Sequence, residues 1–163
     1  MDRLRKEQTY SKVLRDIKSV LDPESDWICI LSTTAAILHH AFDHYHWTGF
    51  YRVVSPDLLI VGPYQGHQAC LHIPFGKGVC GKTAELKKTH VVPDVTKFPG
   101  YIACSESTKS EIVVPVIDSE GVLRCVLDVD SDYLAAFDDV DARYLEEIAR
   151  YVGSKYDNTK VYP

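Results

Sequence analysis

The chain has 163 residues, a formal net charge of −5 and 45% hydrophobic residues, enough for one domain with its own core. No basic stripe or arm is present, which argues against nucleic acid as a partner, since phosphate neutralisation supplies most of that affinity. No apolar run reaches membrane-span length, and the charged start "MDRLRKEQTYSKVLRD" lacks the apolar segment of a signal peptide. A cytoplasmic location is the expectation. The five cysteines, Cys29, Cys70, Cys80, Cys104 and Cys125, are odd in number and include no C-x-x-C pair. A structural disulfide framework and a zinc ribbon are both disfavoured.

In chain order, residues 4–21 place apolar side chains at helical spacing (Tyr10, Val13, Leu14, Ile17, Leu21). Asp22 and Pro23 read as the cap and first turn of a second helix reaching about Ala41, with Ile28, Leu31, Ala35 and Leu38 on its apolar face. "WTGFYRVV" and "LLIVGPY", separated by "SPD", read as an antiparallel hairpin. "ACLHIPF" is a further short strand cut by Pro74, "GKTAELKK" a short helix and "HVVPDV" a brief extended piece. "EIVVPVI" and "VLRCVLDVD" are two strands joined by the turn "DSEG". "FDDVDARYLEEIARYV" is an amphipathic helix that Asp138 can cap, with Val140, Tyr144, Ile148 and Tyr151 on one side. Helices at both ends of a hairpin-built sheet make an α+β domain with a mostly antiparallel sheet. Residues 1–21 are its N-terminal helix, about 22–152 its core, and 153–163 a frayed tail.

The stretch "GKGVCGKT" matches the phosphate-loop pattern G-x-x-x-x-G-K-[ST] at Gly76, Gly81, Lys82 and Thr83. That loop works when a buried parallel strand delivers it onto a helix N-terminus. Here the preceding strand contains His72 and Pro74, and a hairpin follows instead of alternating βα units. The match lacks its structural context, which leaves Cys80, inside it, as the residue of interest.

Alternation along "VLRCVLDVD" puts Leu123, Cys125, Leu127 and Val129 on one face and Arg124, Val126, Asp128 and Asp130 on the other. Cys125 therefore reads as a small buried hydrophobe. Two carboxylates in an otherwise apolar strand are costly unless solvated or useful. They mark either an exposed sheet face or a site that binds a cation or holds a proton. Glu111, on the neighbouring strand, is a third candidate acid. Trp47 and Tyr51 flank Gly49 on one strand face and can wall a small-ligand pocket, although such pairs are more often core. His40 and His44 stand one helical turn apart, and Cys70 and His72 share a strand face. Neither pair has a partner at metal-ligand spacing, so no metal and no cofactor is expected.

The motifs "PFGKGVCG", "VPDV", "FPGYIACS", "SEIVVP" and "LDVDS", in that order, resemble the free methionine-(R)-sulfoxide reductases, single-domain proteins of the GAF fold. The resemblance covers roughly residues 25–152. It implies that Cys104 is the catalytic cysteine and that Cys70 and Cys80 take part in resolution. It also implies that Glu111, Asp128 and Asp130 line the substrate pocket, with Trp47 and Tyr51 as its aromatic wall. Cys29 and Cys125 stand outside the pattern.

The implied chemistry suits these residue types. Thiolate attack on the sulfoxide sulfur needs an acid nearby to protonate the oxygen, here Glu111 or one of Asp128 and Asp130. The cysteine is left as a sulfenic acid. Cys70 or Cys80 then condenses with Cys104 to a disulfide, which a dithiol donor such as thioredoxin resets. The carboxylates can also hold the ammonium of a free amino acid. By the same resemblance a homodimer is expected. Two rival readings come from other classes. A GAF-type sensor that binds a ligand without chemistry would be indifferent to Cys104→Ser. A phosphate-loop enzyme would bind nucleotide with magnesium and lose it on changing Lys82.

Overall fold

The computed structural model describes residues 1–159. Helix α1 (Arg3–Leu21) is capped by Asp2, whose side chain accepts from the Arg5 N–H at 2.9 Å. It buries Tyr10, Val13, Ile17 and Leu21, the helical spacing read from the sequence. Helix α2 (Trp27–Ala41) corrects that reading in two respects. Its cap is Asp26, which accepts from the Cys29 N–H at 2.6 Å. Asp22 instead ends α1, its N–H bonded to the Lys18 carbonyl, because the first helix's ladder continues through it. The later start turns Ile28 to the edge of the apolar stripe, where it is exposed, while Ile30, Leu31, Ala35 and Leu38 are buried.

The strands are β1 (Trp47–Ser55), β2 (Leu58–Gln65), β3 (His72–Pro74), β4 (His90–Val92), β5 (Ser110–Ile117) and β6 (Leu123–Ser131). They form one six-stranded sheet in the order β3-β2-β1-β6-β5-β4, and every pairing is antiparallel. The two predicted hairpins, β1–β2 and β5–β6, lie side by side because β1 pairs with β6. Helices α1, α2 and α4 (Asp139–Tyr156) cover one face, over a core of Phe50, Ile112, Val114, Cys125, Leu127 and Val129 from the strands. Cys125 is fully buried there, as its strand position implied. Helix α3 (Gly78–Leu86) and the loops around it cover the opposite face.

Asp138 caps α4, accepting from Val140 N–H at 2.8 Å, while Asp141 accepts in return from Asp138 N–H at 2.8 Å. The helix runs to Tyr156, so the tail expected from residue 153 starts at least four residues too early. Gly153 is buried, and any side chain there would collide with the Ile117 carbonyl. The strand β5 thus continues to pack against α4 beyond the expected boundary. Residues 160–163 lie outside the described residues. Among the described residues, no helix is long and apolar enough to cross a membrane.

Candidate active site

The site is built on the sheet face opposite α1 and α4. Strand register assembles it row by row. Trp47 on β1, Asp130 on β6 and Glu111 on β5 are consecutive cross-strand partners. In the next row on that face Gly49, Asp128 and Val113 are partners, and in the row after it Tyr51 and Val126. Alternation sends all of these side chains to the same side. Five of the sequence candidates, scattered over 84 positions, therefore share one patch.

Gly49 is what opens it. A Cβ at this position would overlap Tyr64 and come within 2.7 Å of the Trp47 indole. Without one, Trp47 stacks on Tyr51 at 5.7 Å between ring centroids and on Tyr64 at 5.2 Å. The Trp47 indole N–H donates to the His67 carbonyl at 3.1 Å, which fixes the ring and anchors the loop leading to Cys70.

Helix α3 closes the patch from above. Its first turn, Gly78, Val79 and Cys80, lines a cavity of about 30 Å³ together with Glu111, Asp128 and Asp130. The phosphate-loop match falls here. The strand before it is a three-residue edge strand, antiparallel to β2, which is not the buried parallel strand that motif requires. Gly76 and Gly78 adopt positive φ (78° and 60°) to turn the chain from β3 into the helix. A Cβ at Gly81 would overlap the Pro74 carbonyl, so the glycines serve close helix–strand approach.

The third wall is the loop 98–109, which carries Cys104. Gly100, at φ 74°, turns it, and its carbonyl accepts from Gly78 N–H at 3.2 Å. Lys109 N–H donates to the Ser131 carbonyl at 2.8 Å and pins the loop's far end to the sheet. Cys104 is joined to Cys70 by a disulfide, 34 residues apart in sequence and 5.2 Å between Cα atoms. Of the two candidates for pairing with Cys104, Cys70 is the one bonded. Cys80 is a free, buried thiol. Cys104 lines the cavity, as do Gln68 and Ala69 of the loop that carries Cys70.

Electrostatically the patch is unusual. Glu111 and Asp128 are each only 5% exposed. Among the described residues Glu111, Asp128 and Asp130 form no ion pair, although Lys77 also lines the cavity, and the Asp128 Oδ1 atom has no hydrogen-bond partner. Burial pushes the Glu111 and Asp130 carboxyls well up, and repulsion from Asp128 adds to it. Burial likewise raises Asp128, to about 7. Burial, followed by the negative fields of Asp128 and Glu111, raises the Cys80 thiol. The exposed-face reading of Asp128 and Asp130 fails at Asp128, which is buried, while Asp130 is half-buried; Glu111 is buried beside them, and the group can hold protons near neutrality.

The structure also adds residues that pattern reading did not single out. Tyr101, Ile102 and Thr108 line the cavity from the Cys104 loop. The stretch between Phe98 and Ser110 contains no regular element, so no periodicity marked an inward face. The histidine pairs do not form sites: His44 lies beyond the end of α2, and His72 is exposed on the edge strand.

A helix-backed antiparallel sheet with its pocket on the far face is the architecture of a GAF domain, and the GAF domain family model matches residues 9–154. The likeness is closer than the fold. The free methionine-R-sulfoxide reductase of Saccharomyces cerevisiae is 41% identical over 155 residues, 91% of this chain and 86% of that protein. The Escherichia coli protein of the same name is 34% identical, covering 89% and 87%. The structure of the Neisseria meningitidis free methionine-R-sulfoxide reductase in complex with its substrate superposes with a TM-score of 0.90 at 45% identity, over 94% of this chain and 92% of that one. The chain belongs to the free methionine-R-sulfoxide reductase family.

Proposed function

We propose that this protein reduces free L-methionine-(R)-sulfoxide to L-methionine. The observation that carries the reading is the Cys70–Cys104 disulfide standing against a pocket lined by three carboxyls, none of which forms an ion pair among the described residues. A sulfoxide reductase needs a nucleophilic thiol, a second thiol in bonding reach and an acid beside the substrate oxygen. A free amino acid brings an ammonium that matches the uncompensated carboxyls.

In this reading the Cys104 thiolate attacks the sulfoxide sulfur while a protonated carboxyl, Glu111 or an aspartic acid of the Asp128 and Asp130 pair, gives its proton to the oxygen. The oxygen passes to Cys104 as a sulfenic acid and methionine leaves. The Cys70 thiol then attacks the Cys104 sulfur and water departs, leaving the disulfide. Thioredoxin, the proposed reductant, returns both cysteines to thiols. Trp47 and Tyr51 pack against the substrate's methyl and methylene groups. The substrate carboxylate faces the start of α3, where unpaired N–H groups and the helix dipole favour an anion. Cys80 takes no part in the main cycle, because its thiol is buried and held protonated by the neighbouring acids. We also propose a homodimer; Leu4, Val20 and Ile28, exposed on the first two helices, support it. Sedimentation equilibrium tests that part.

The test of the reaction is NADPH consumption coupled through thioredoxin and its reductase. Consumption is expected with the free R epimer alone, and not with the S epimer or a peptide-bound R form. It should vanish in Cys104→Ser and slow at the reset step in Cys70→Ser, while Cys80→Ser keeps a first turnover. Turnover of the S epimer at a comparable rate would defeat the stereospecific reading. Full activity of Cys104→Ser would return the chain to the ligand-sensor class.

A further inference from the structure

The Cys80 sulfur, a Glu111 carboxylate oxygen and an Asp128 carboxylate oxygen lie within 4.8 Å of one another, all buried. A reductase pocket needs the two acids; it does not need a third, unused thiol pressed between them. Cys80 stands free while Cys70 and Cys104 are bonded to each other. Asp128, one of its members, has a buried oxygen, Oδ1, with no hydrogen-bond partner among the described residues. We propose that Cys80, Glu111 and Asp128 form a binding site for a thiophilic divalent cation of the zinc class.

The donor set selects the ion. Calcium takes six to eight oxygens and magnesium an octahedron of oxygens and waters, and a thiolate suits neither. One thiolate with two carboxylates fits a borderline ion such as zinc, for which three protein ligands with the fourth position open is a common arrangement. Zinc bond lengths of about 2.0–2.3 Å put tetrahedral ligand atoms roughly 3.5 Å apart, inside the 4.8 Å span of the observed cluster. The cavity of about 30 Å³ has room for an ion and the water that completes it. The ion also neutralises the pocket's uncompensated acids. It recruits the groups proposed to hold the substrate, so metal and substrate exclude each other. The ion takes the place of the Cys80 proton and neither bonds to nor disturbs the disulfide.

The inference is independent of the reductase reading, because the probe is a metal and the readout is absorption. Cobalt(II) is titrated into metal-free protein with the Cys70–Cys104 disulfide intact, so that those sulfurs cannot ligate. One equivalent is expected to produce a thiolate-to-cobalt charge-transfer band that zinc then abolishes. The band should persist in Cys29→Ser and in Cys125→Ser and be absent in Cys80→Ser. Glu111→Gln should weaken binding by more than about tenfold, the loss that removing even an outlying partner of a ligand can cause. Glu111→Gln also carries the test if Cys80→Ser does not fold by circular dichroism. Absence of the band in the unmutated protein, its survival in folded Cys80→Ser, its loss in Cys29→Ser, or undiminished affinity in Glu111→Gln each overturns the proposal.

Discussion

The two faces of the sheet bury carboxylates to opposite ends. On the helical face Asp141 is completely buried, yet Lys6 donates to it at 2.6 Å and Tyr10 at 2.7 Å, and it caps its own helix. Tyr10 also bonds Tyr45, and Lys6 reaches Asp138 at 2.8 Å. Both oxygens of Asp141 have a partner, and the network ties α1 to α4. On the pocket face Glu111, Asp128 and Asp130 form no ion pair and one oxygen of Asp128 has no hydrogen-bond partner among the described residues. The same residue type is a clasp where it is compensated and a poised site where it is not. A buried carboxyl without a partner is costly to the fold, which makes the pocket acids candidates for a functional role.

The comparison can be broken most sharply at Cys104. Cys104→Ser is expected to abolish turnover while leaving the far-ultraviolet spectrum unchanged. Next come the pocket acids. Glu111→Gln or Asp128→Asn should cut kcat/KM by about 10²–10⁴-fold, the usual worth of a general acid, while thermal stability holds or rises because an unpaired buried carboxyl is removed. A large fall in melting temperature with little loss of activity would put these acids with the clasp instead.

The helical face should respond in the opposite way. Lys6→Met strands Asp141 without its cation and is expected to lower unfolding free energy by about 3–5 kcal/mol, read by urea denaturation. Activity per folded molecule should be unchanged. Gly153→Ala should cost less, about 1–3 kcal/mol from overpacking against the Ile117 backbone. The smallest effect is a pH effect. Hydrogen bonds and charge from Lys6, together with the α4 cap N–H groups, outweigh partial burial and hold Asp138 down at about 2. A lowered carboxyl stabilises the fold above its unfolded value of about 4 and loses that contribution as pH falls from there towards 2. The Asp138 side chain is 51% exposed, so solvent screening keeps the loss below about 1 kcal/mol. Melting curves of Asp138→Asn should show a flatter acid limb than the unmutated chain.

Much of the molecule was legible in the sequence because its signals are local. The 3.6-residue period marked α1 and α4, the two-residue period marked β1, β5 and β6, and "DSEG" marked their turn. The same alternation separated Cys125 from Asp128 and Asp130 correctly, three and five residues apart on opposite faces. Where the chain is punctuated by competing signals, local reading slipped. Asp22 and Asp26 are both plausible caps, and only the length of the α1 ladder decided between them. The family resemblance implied eight candidate site residues, yet left Cys70 and Cys80 equal.

What the tertiary structure alone decided is everything that depends on pairing at long range. The register of β1 against β6 and of β6 against β5 brings Trp47, Asp130 and Glu111 into one row, and no local period encodes a contact between segments tens of residues apart. The disulfide joins two irregular loops, so neither helical nor strand spacing could point Cys104 to Cys70. Cys80 is left as a free thiol on α3, within 4.8 Å of carboxylate oxygens of Glu111 and Asp128. Whether a carboxylate is exposed or buried, and paired or alone, is a property of the assembled surfaces around it. That is the physical reason the sequence supplied the chemical groups and only the packed sheet decided their burial and pairing.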